Sequence, residues 1–190
     1  MEKSVKNKLL PLILLILVVI IDQISKSLVV KYIAPYDFVN CPTFLGGFLR
    51  FVFVYNPGVA FSVGASWGEN VRRILFSLIP IIVLILVMVV YFRNKDFSKL
   101  QRWAICGIVG GGLGNIIDRI FRPSGVVDFI DVQWFGIEDS SIKFLRWDRW
   151  PTFNIADSAV VVCGILLIIS FIVTFVKDAK NKKAAKKGEE

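Results

Sequence analysis

The chain has 190 residues, of which 55% are hydrophobic and 20% charged, and its formal net charge is +8. Its mean hydropathy of +0.66 is too high for an ordinary water-soluble domain and indicates a membrane protein. Because the chain has no histidine and only three scattered cysteines, it offers no cluster of zinc ligands, and we expect neither a metal nor another cofactor.

Four apolar stretches are long enough to cross a bilayer, which takes about 20 helical residues. We expect them to be packed into one integral membrane domain that covers residues 1–190. The lysines before the first stretch would suit a cleaved signal peptide, but no small-residue cleavage site follows them, which favours a retained helix. The predicted spans are residues 9–30, 74–92, 103–121 and 155–176.

The basic residues are unevenly distributed between the predicted connections. Residues 1–8, 93–102 and 177–190 carry 13 of the 23 lysines and arginines, whereas the longer connections, 31–73 and 119–154, carry nine. This bias predicts cytoplasmic termini and places both longer connections on the outer side. We interpret 177–190 as a disordered basic tail on anionic lipid, and we expect no nucleic-acid partner.

The first outer connection contains a run of strand-forming residues. Phe48–Tyr55 is rich in aromatic and β-branched side chains, and the turn-like sequence Asn56-Pro57-Gly58 follows it. This pattern predicts a small sheet and loop on the membrane surface, within residues 35–70. An alternative is an interfacial belt of aromatic residues without a sheet.

The third predicted helix is rich in glycine. Its pairs Gly107/Gly111 and Gly110/Gly114 have the small-xxx-small spacing that lets membrane helices approach each other closely. The sequence therefore predicts tight packing of other helices against this one.

Polar residues accumulate at the outer ends of the predicted spans, where burying an ionised group is costly. Residues three or four apart on a helix share a face, which gives two possibilities for Asp22 and Lys26. If they pair, they fix the end of the first helix; if they do not, they can contact a headgroup or a substrate. The same spacing relates Asn115 to Asp118 and Arg119, and Asn154 to Asp157.

Two aspartates stand out at the membrane boundary. Asp128 follows the third apolar stretch, and Asp157 begins the fourth. The helix dipole favours a carboxylate at Asp157 but gives no reason for Asp128. Since the chain has no imidazole, the two carboxyls suggest a pair that shares a proton and activates water. Asp131 is an alternative to Asp128 that position alone does not exclude.

Five short blocks around these residues resemble a known family. The blocks are Asp22-Gln23-Ile24-Ser25-Lys26, Asn56-Pro57-Gly58-Val59-Ala60-Phe61, Gly114-Asn115-Ile116-Ile117-Asp118-Arg119, Val126-Val127-Asp128-Phe129 and Phe153-Asn154-Ile155-Ala156-Asp157. Together they are similar, over roughly residues 20–160, to bacterial lipoprotein signal peptidase, also called signal peptidase II.

The resemblance implies a fold and an activity. The expected fold is an all-α membrane protein with four transmembrane helices, a small periplasmic β-sheet and an extracytoplasmic loop. The expected activity is that of an aspartic endopeptidase at the outer face of the bacterial inner membrane. It would cleave diacylglyceryl prolipoproteins before the lipid-modified lipobox cysteine, as a monomer in the phospholipid bilayer.

The resemblance also implies residue roles. Asp128 and Asp157 are the expected catalytic pair. The expected supporting and substrate-binding residues are Asp22, Lys26, Asn56, Gly58, Ala60, Phe61, Asn115, Asp118, Arg119 and Asn154.

Other functions are compatible with parts of the pattern. A proton relay would use the acidic residues, but these cluster at one face rather than crossing the membrane. A serine–lysine peptidase would use Ser25 and Lys26, whose side chains point about 100° apart on a helix. A non-enzymatic scaffold gives no reason for two aspartates at the water boundary.

Overall fold

The computed structural model describes residues 2–40, 47–57 and 68–187. Helices dominate this part of the chain and a small sheet accompanies them, so the expected fold class is confirmed. The elements are α1 (Glu2–Leu9), α2 (Leu12–Tyr32), β1 (Phe38–Asn40), β2 (Leu49–Asn56), α3 (Glu69–Arg93), α4 (Lys99–Phe121), β3 (Val126–Val132) and α5 (Ile155–Lys187).

Four helical segments are long and apolar enough to cross a membrane. They are Val5–Tyr32, Ile74–Arg93, Lys99–Phe121 and Ile155–Asn181, which overlap the four predicted spans. The first is interrupted near Pro11, because proline lacks the N–H that a helix interior needs. The last helix continues to Lys187, where a disordered tail was expected from residue 177. The lysines and alanines of this segment are strong helix formers.

Helix α4 lies at the centre of the bundle and packs against α2, α3 and α5. Its glycines make these approaches possible. A Cβ on Gly111 would lie 2.4 Å from the carbonyl oxygen of Ala156 in α5, and one on Gly110 would lie 2.8 Å from that of Leu15 in α2. The predicted packing at the small residues is therefore confirmed.

The three strands form one antiparallel sheet in the order β1-β2-β3. Only β1 and β2 come from residues 35–70, since β3 belongs to the second long connection. The sequence analysis did not predict β3, although its valines and isoleucine favour a strand. Val29 of α2 packs with Phe53, Val127 and Phe129 of the sheet, which fixes the sheet on the C-terminal end of α2.

The chain between β3 and α5 folds back along β3. Gln133 pairs with Arg149, and Ile130 pairs with Phe153. The N–H of Ile130 donates to the carbonyl oxygen of Phe153, and the N–H of Phe153 donates to the carbonyl oxygen of Ile130. This return places the first residues of α5 beside the middle of β3.

Candidate active site

Asn154 binds both aspartates of the predicted pair. Its Nδ2 donates to Oδ1 of Asp128 at 2.8 Å, and its backbone N–H donates to Oδ2 of Asp157 at 3.1 Å. The N–H of Asp157 donates back to Oδ1 of Asn154 at 2.9 Å. This reciprocal exchange is a helix-capping arrangement at the start of α5. A single fully buried residue thus holds the two carboxyls next to each other.

Two further amides bind the pair. Nδ2 of Asn115 donates to Oδ1 of Asp157 at 2.7 Å, and Nδ2 of Asn56 donates to Oδ2 of Asp128 at 3.0 Å. Nδ2 of Asn154 also approaches Oδ1 of Asn115 at 3.0 Å. The structure therefore brings together five of the predicted site residues, and three neutral amides of the described chain donate to the two carboxyls.

The turn into β3 depends on a glycine that the sequence analysis did not single out. Gly125 has a φ of +107°, and a Cβ there would lie 2.4 Å from the carbonyl oxygen of Asn56. Only glycine combines this backbone conformation with such a close approach. Gly125 thereby allows β3 to begin beside the end of β2, where Asn56 reaches Asp128.

Burial changes the acidity of Asp128, which is only 3% exposed. Burial raises the pKa of this carboxyl to about 6, and the neighbouring Asp157 carboxylate adds to the rise. The hydrogen bonds from Asn56 and Asn154 act in the opposite direction, because they stabilise the ionised form. Asp128 therefore holds a proton far more readily than an ordinary aspartate.

Lys26 lies at the centre of a buried ion cluster beside the pair. Its Nζ is 2.8 Å from Oδ2 of Asp22 and 3.0 Å from Oδ2 of Asp118, and the three side chains are completely buried. The same Nζ donates to Oδ1 of Asn115 at 2.9 Å. All three ammonium hydrogens thus have acceptors. Of the two possibilities for Asp22 and Lys26, the structure has the ion pair.

The ion cluster also fixes the backbones that carry the aspartate pair. The N–H of Ala156 donates to Asp22 at 2.9 Å, and the N–H of Val127 donates to Asp118 at 3.1 Å. Ala156 precedes Asp157, and Val127 precedes Asp128. Because breaking a buried ion pair costs about 3–5 kcal/mol, the cluster holds the start of α5 and β3 firmly against α2 and α4. Arg122, at 3.1 Å from Asp118, supplies a second cation that the sequence analysis missed.

Arg119, which by its spacing can share a face with Asn115 and Asp118, also contacts α3, and its charge interacts with the Asp118 carboxylate. Its Nη1 donates to the carbonyl oxygen of Phe76 in α3 at 2.9 Å. Its charge still interacts with the carboxylates of Asp157 and Asp128. Three other predicted site residues lie outside the described part of the chain: Gly58, Ala60 and Phe61.

Two arginines bind the carboxylate of Asp131. Nε of Arg149 lies 2.6 Å from its Oδ1, and Nε of Arg50 contacts its Oδ2. Arg149 also donates to the backbone carbonyl of Asp131 at 3.1 Å. These contacts join β2, β3 and the returning segment through Asp131, whereas Asp128 is bound by the amides of Asn56 and Asn154.

The serine–lysine alternative does not fit the geometry. Oγ of Ser25 donates to the backbone carbonyl of Asp22 at 2.8 Å, while Nζ of Lys26 is engaged by its three acceptors. A lysine that activates a serine must accept the proton of that serine. The two groups have no such contact.

The chain is similar to known peptidases over most of its length. The family model described as signal peptidase (SPase) II matches residues 14–173. A lipoprotein signal peptidase of Treponema denticola is 45% identical over 177 residues, which cover 93% of this chain and 96% of the relative. That of Treponema pallidum is 46% identical over 167 residues, covering 88% and 85%, and that of Borrelia hermsii is 44% identical over 178 residues, covering 93% and 95%.

The fold is similar to those of two solved bacterial membrane enzymes. One, determined by the in meso method at 2.3 Å resolution, superposes with a TM-score of 0.69 at 29% identity and covers 90% of both chains. The other, at 1.9 Å resolution, gives a TM-score of 0.66 at 28% identity and covers 85% of this chain and 91% of that one.

Proposed function

The chain belongs to the signal peptidase II family, and we propose that it is an aspartic endopeptidase that removes signal peptides from diacylglyceryl prolipoproteins. Membership of this family makes it a multi-pass membrane peptidase. Its relatives are lipoprotein signal peptidases, which supports lipoprotein signal peptides as the substrate. The main support for an aspartic mechanism is that the capping residue Asn154 binds Asp128 and Asp157 at once.

The two aspartates have complementary environments for acid–base catalysis. Asp157 lies in the first turn of α5, where the helix dipole favours a negative charge, and it accepts hydrogen bonds from Asn115 and Asn154. Burial raises the pKa of Asp128 to about 6. We therefore assign the proton to Asp128 and the negative charge to Asp157.

The proposed reaction uses water as the nucleophile. Asp157 takes a proton from the water as the water oxygen attacks the carbonyl carbon of the scissile peptide bond. Asp128 donates its proton toward the carbonyl oxygen, which stabilises the tetrahedral intermediate. When the carbon–nitrogen bond breaks, the leaving nitrogen takes up a proton from the pair. The cleaved bond is the one that precedes the lipid-modified cysteine.

We also propose where this chemistry takes place. The distribution of lysine and arginine supports cytoplasmic termini, so that the outer end of α2, the sheet and the aspartate pair face the outside of the inner membrane. The signal helix and the acyl chains of a prolipoprotein both partition into lipid. A site at the membrane boundary can therefore receive its substrate laterally, without extracting it from the bilayer.

Cleavage of a purified substrate tests the proposal. The full-length protein in detergent should cut a diacylglyceryl prolipoprotein, and Asp128→Asn and Asp157→Asn should each lower kcat by at least about 100-fold. Asp131→Asn is the matched control, since it removes an equally buried carboxylate from the same strand and should leave cleavage within about tenfold of wild type. Cleavage by a variant with alanine at both 128 and 157 would overturn the mechanism. So would loss of cleavage in Asp131→Asn together with normal cleavage in Asp128→Asn.

A further inference from the structure

An apolar groove whose lining does not include the aspartate pair runs along the bundle. It has a volume of about 640 Å³ and lies between α2 and α3, with α4 as its floor. Leu15, Leu84, Ile85 and Met88 form its walls, and Leu113 lies on its floor. The groove exists because α3 packs mainly on α4, which leaves α2 and α3 apart.

The length of the groove matches one half of a bilayer. It follows α3 from Ile81 to Phe92, and 11 helical steps of 1.5 Å make it about 16 Å long. The hydrocarbon core is roughly 30 Å thick, so one leaflet contributes about 15 Å. A transmembrane peptide would need a groove of the full thickness. The dimensions therefore fit an acyl chain of a lipid in a single leaflet.

The end of the groove carries positive charge. Arg93 is exposed and lines the groove there. Nζ of Lys8 donates to the carbonyl oxygen of Phe92 at 2.6 Å, which places a second cation at the same end. The hydroxyl of Tyr91 donates to the carbonyl oxygen of Lys8 at 2.7 Å and fixes α1 in this position. Basic groups at the mouth of an apolar groove between membrane helices are typical of sites for anionic lipid headgroups.

We propose that this groove binds an anionic phospholipid of the leaflet that surrounds the end of α3. One acyl chain lies along Ile85 and Leu84, and the phosphate is bound by Arg93 with Lys8 beside it. In the topology proposed above this is the cytoplasmic leaflet. The site is separate from the aspartate pair and does not depend on the peptidase activity.

Lipid retention by the purified full-length protein tests whether the groove prefers an anionic headgroup. Native mass spectrometry would compare phosphatidylglycerol and phosphatidylcholine with identical acyl chains. We expect wild type to retain phosphatidylglycerol preferentially and Arg93→Gln to bind it about fivefold more weakly, the effect of one basic group near a membrane surface. Lys31→Gln, which removes a cation near the opposite end of α2, should bind it like wild type. Equal retention of the two lipids by wild type would overturn the proposal.

A second pair of variants tests whether the acyl chain lies in the groove. Ile85→Trp fills the groove, whereas Val83→Trp adds the same bulk on the opposite side of α3; both positions are half-exposed. Ile85→Trp should lose retention of phosphatidylglycerol, and Val83→Trp should keep it. Equal loss in both would overturn the proposed groove site. Asp128→Asn should retain the lipid like wild type, so a failure of the peptidase proposal is distinguishable from a failure of this one.

Discussion

Asp128 and Asp131 lie three residues apart on β3 and are equally buried, at 3% exposure, yet they belong to regions of different chemistry. Asp128 accepts hydrogen bonds from the amides of Asn56 and Asn154 and has Asp157 as its neighbour. Asp131 is bound by the guanidinium groups of two arginines. The depth of burial is the same, so the partners account for the difference.

The two aspartates show that a protein can orient a carboxyl without balancing its charge. An amide donor fixes the direction of a carboxyl without supplying a full positive charge, so burial and a neighbouring carboxylate can still favour protonation. Two guanidinium groups, in contrast, supply positive charge that balances the negative charge of a carboxylate. A protein can thus keep one carboxyl available for proton transfer and use another, on the same strand, as a structural link.

The largest expected effect comes from removing the residue that orients both members of the pair. Asn154→Ala should lower kcat by about 10²–10³-fold, comparable to the loss of a preorganised donor at a reaction centre. Asn154→Ser is the matched control, because its hydroxyl can still cap α5 but cannot replace the amide that reaches Asp128. Both variants should be compared in prolipoprotein cleavage and in helical content. A retained rate above one tenth of wild type in Asn154→Ala would contradict this assignment.

The next largest effect is expected on the stability of the folded protein, and it should differ between substitutions at Asp131 and at Asp128. Asp131→Asn leaves Arg50 and Arg149 without their carboxylate, and since both arginines are partly exposed, we expect a loss of about 1–3 kcal/mol. Thermal unfolding in detergent at pH 8 measures it.

Asp128→Asn should not lower the unfolding midpoint under the same conditions. The folded-state pKa of about 6 lies above the ordinary value of 3.8, so the contribution of Asp128 to stability falls as the pH rises between these values. Asparagine does not ionise and avoids that loss at pH 8. A lower midpoint in Asp128→Asn than in Asp131→Asn would contradict the comparison.

A smaller effect is expected on the pH dependence of kcat/KM. If Asp128 acts in its protonated form, kcat/KM should decline as the pH rises through about 6. Asn56→Ala removes a hydrogen bond that favours the ionised form, so it should raise the pKa of Asp128 and move the decline to higher pH. Asp131→Asn should leave the profile in place. A shift of the decline to lower pH in Asn56→Ala would be evidence against Asp128 as the acid.

The smallest effect should follow a conservative substitution of one of the two arginines that bind Asp131. Arg149→Lys keeps the positive charge next to Asp131 but cannot donate to both the carboxylate and the backbone carbonyl in the same way. We expect a loss of about 0.5–1 kcal/mol in stability and unchanged cleavage per folded molecule. A large drop in cleavage would mean that this link contributes to the chemistry.

Local patterns in the sequence predicted much of this molecule. Apolar stretches gave the four spans, because a helix that faces lipid must be apolar along its length. The glycine spacing predicted the close packing of α4, and the spacing of Asn154 and Asp157 predicted that they meet at the start of α5. Each of these features depends on residues within one helix.

Other features depended on residues that are distant in the chain. Strand β3 was missed because its seven residues form a strand by pairing with β2. The spacing left open whether Asp22 binds Lys26, and the second carboxylate on that lysine, Asp118, comes from another helix. Arg50 and Arg149, which distinguish Asp131 from Asp128, had no local signal that linked them to β3.

The sequence by itself determined the four apolar spans, the helix faces and the supply of carboxyls and amides near the ends of those spans, because these follow from periodicity and composition. Only the tertiary structure decided which aspartate receives which partners. Asn56 lies 72 residues from Asp128, Arg50 lies 81 from Asp131, and Ala156 lies 134 from Asp22. The acidity of a carboxyl depends on its burial and on the groups around it, and here folding brings those groups together from distant parts of the chain.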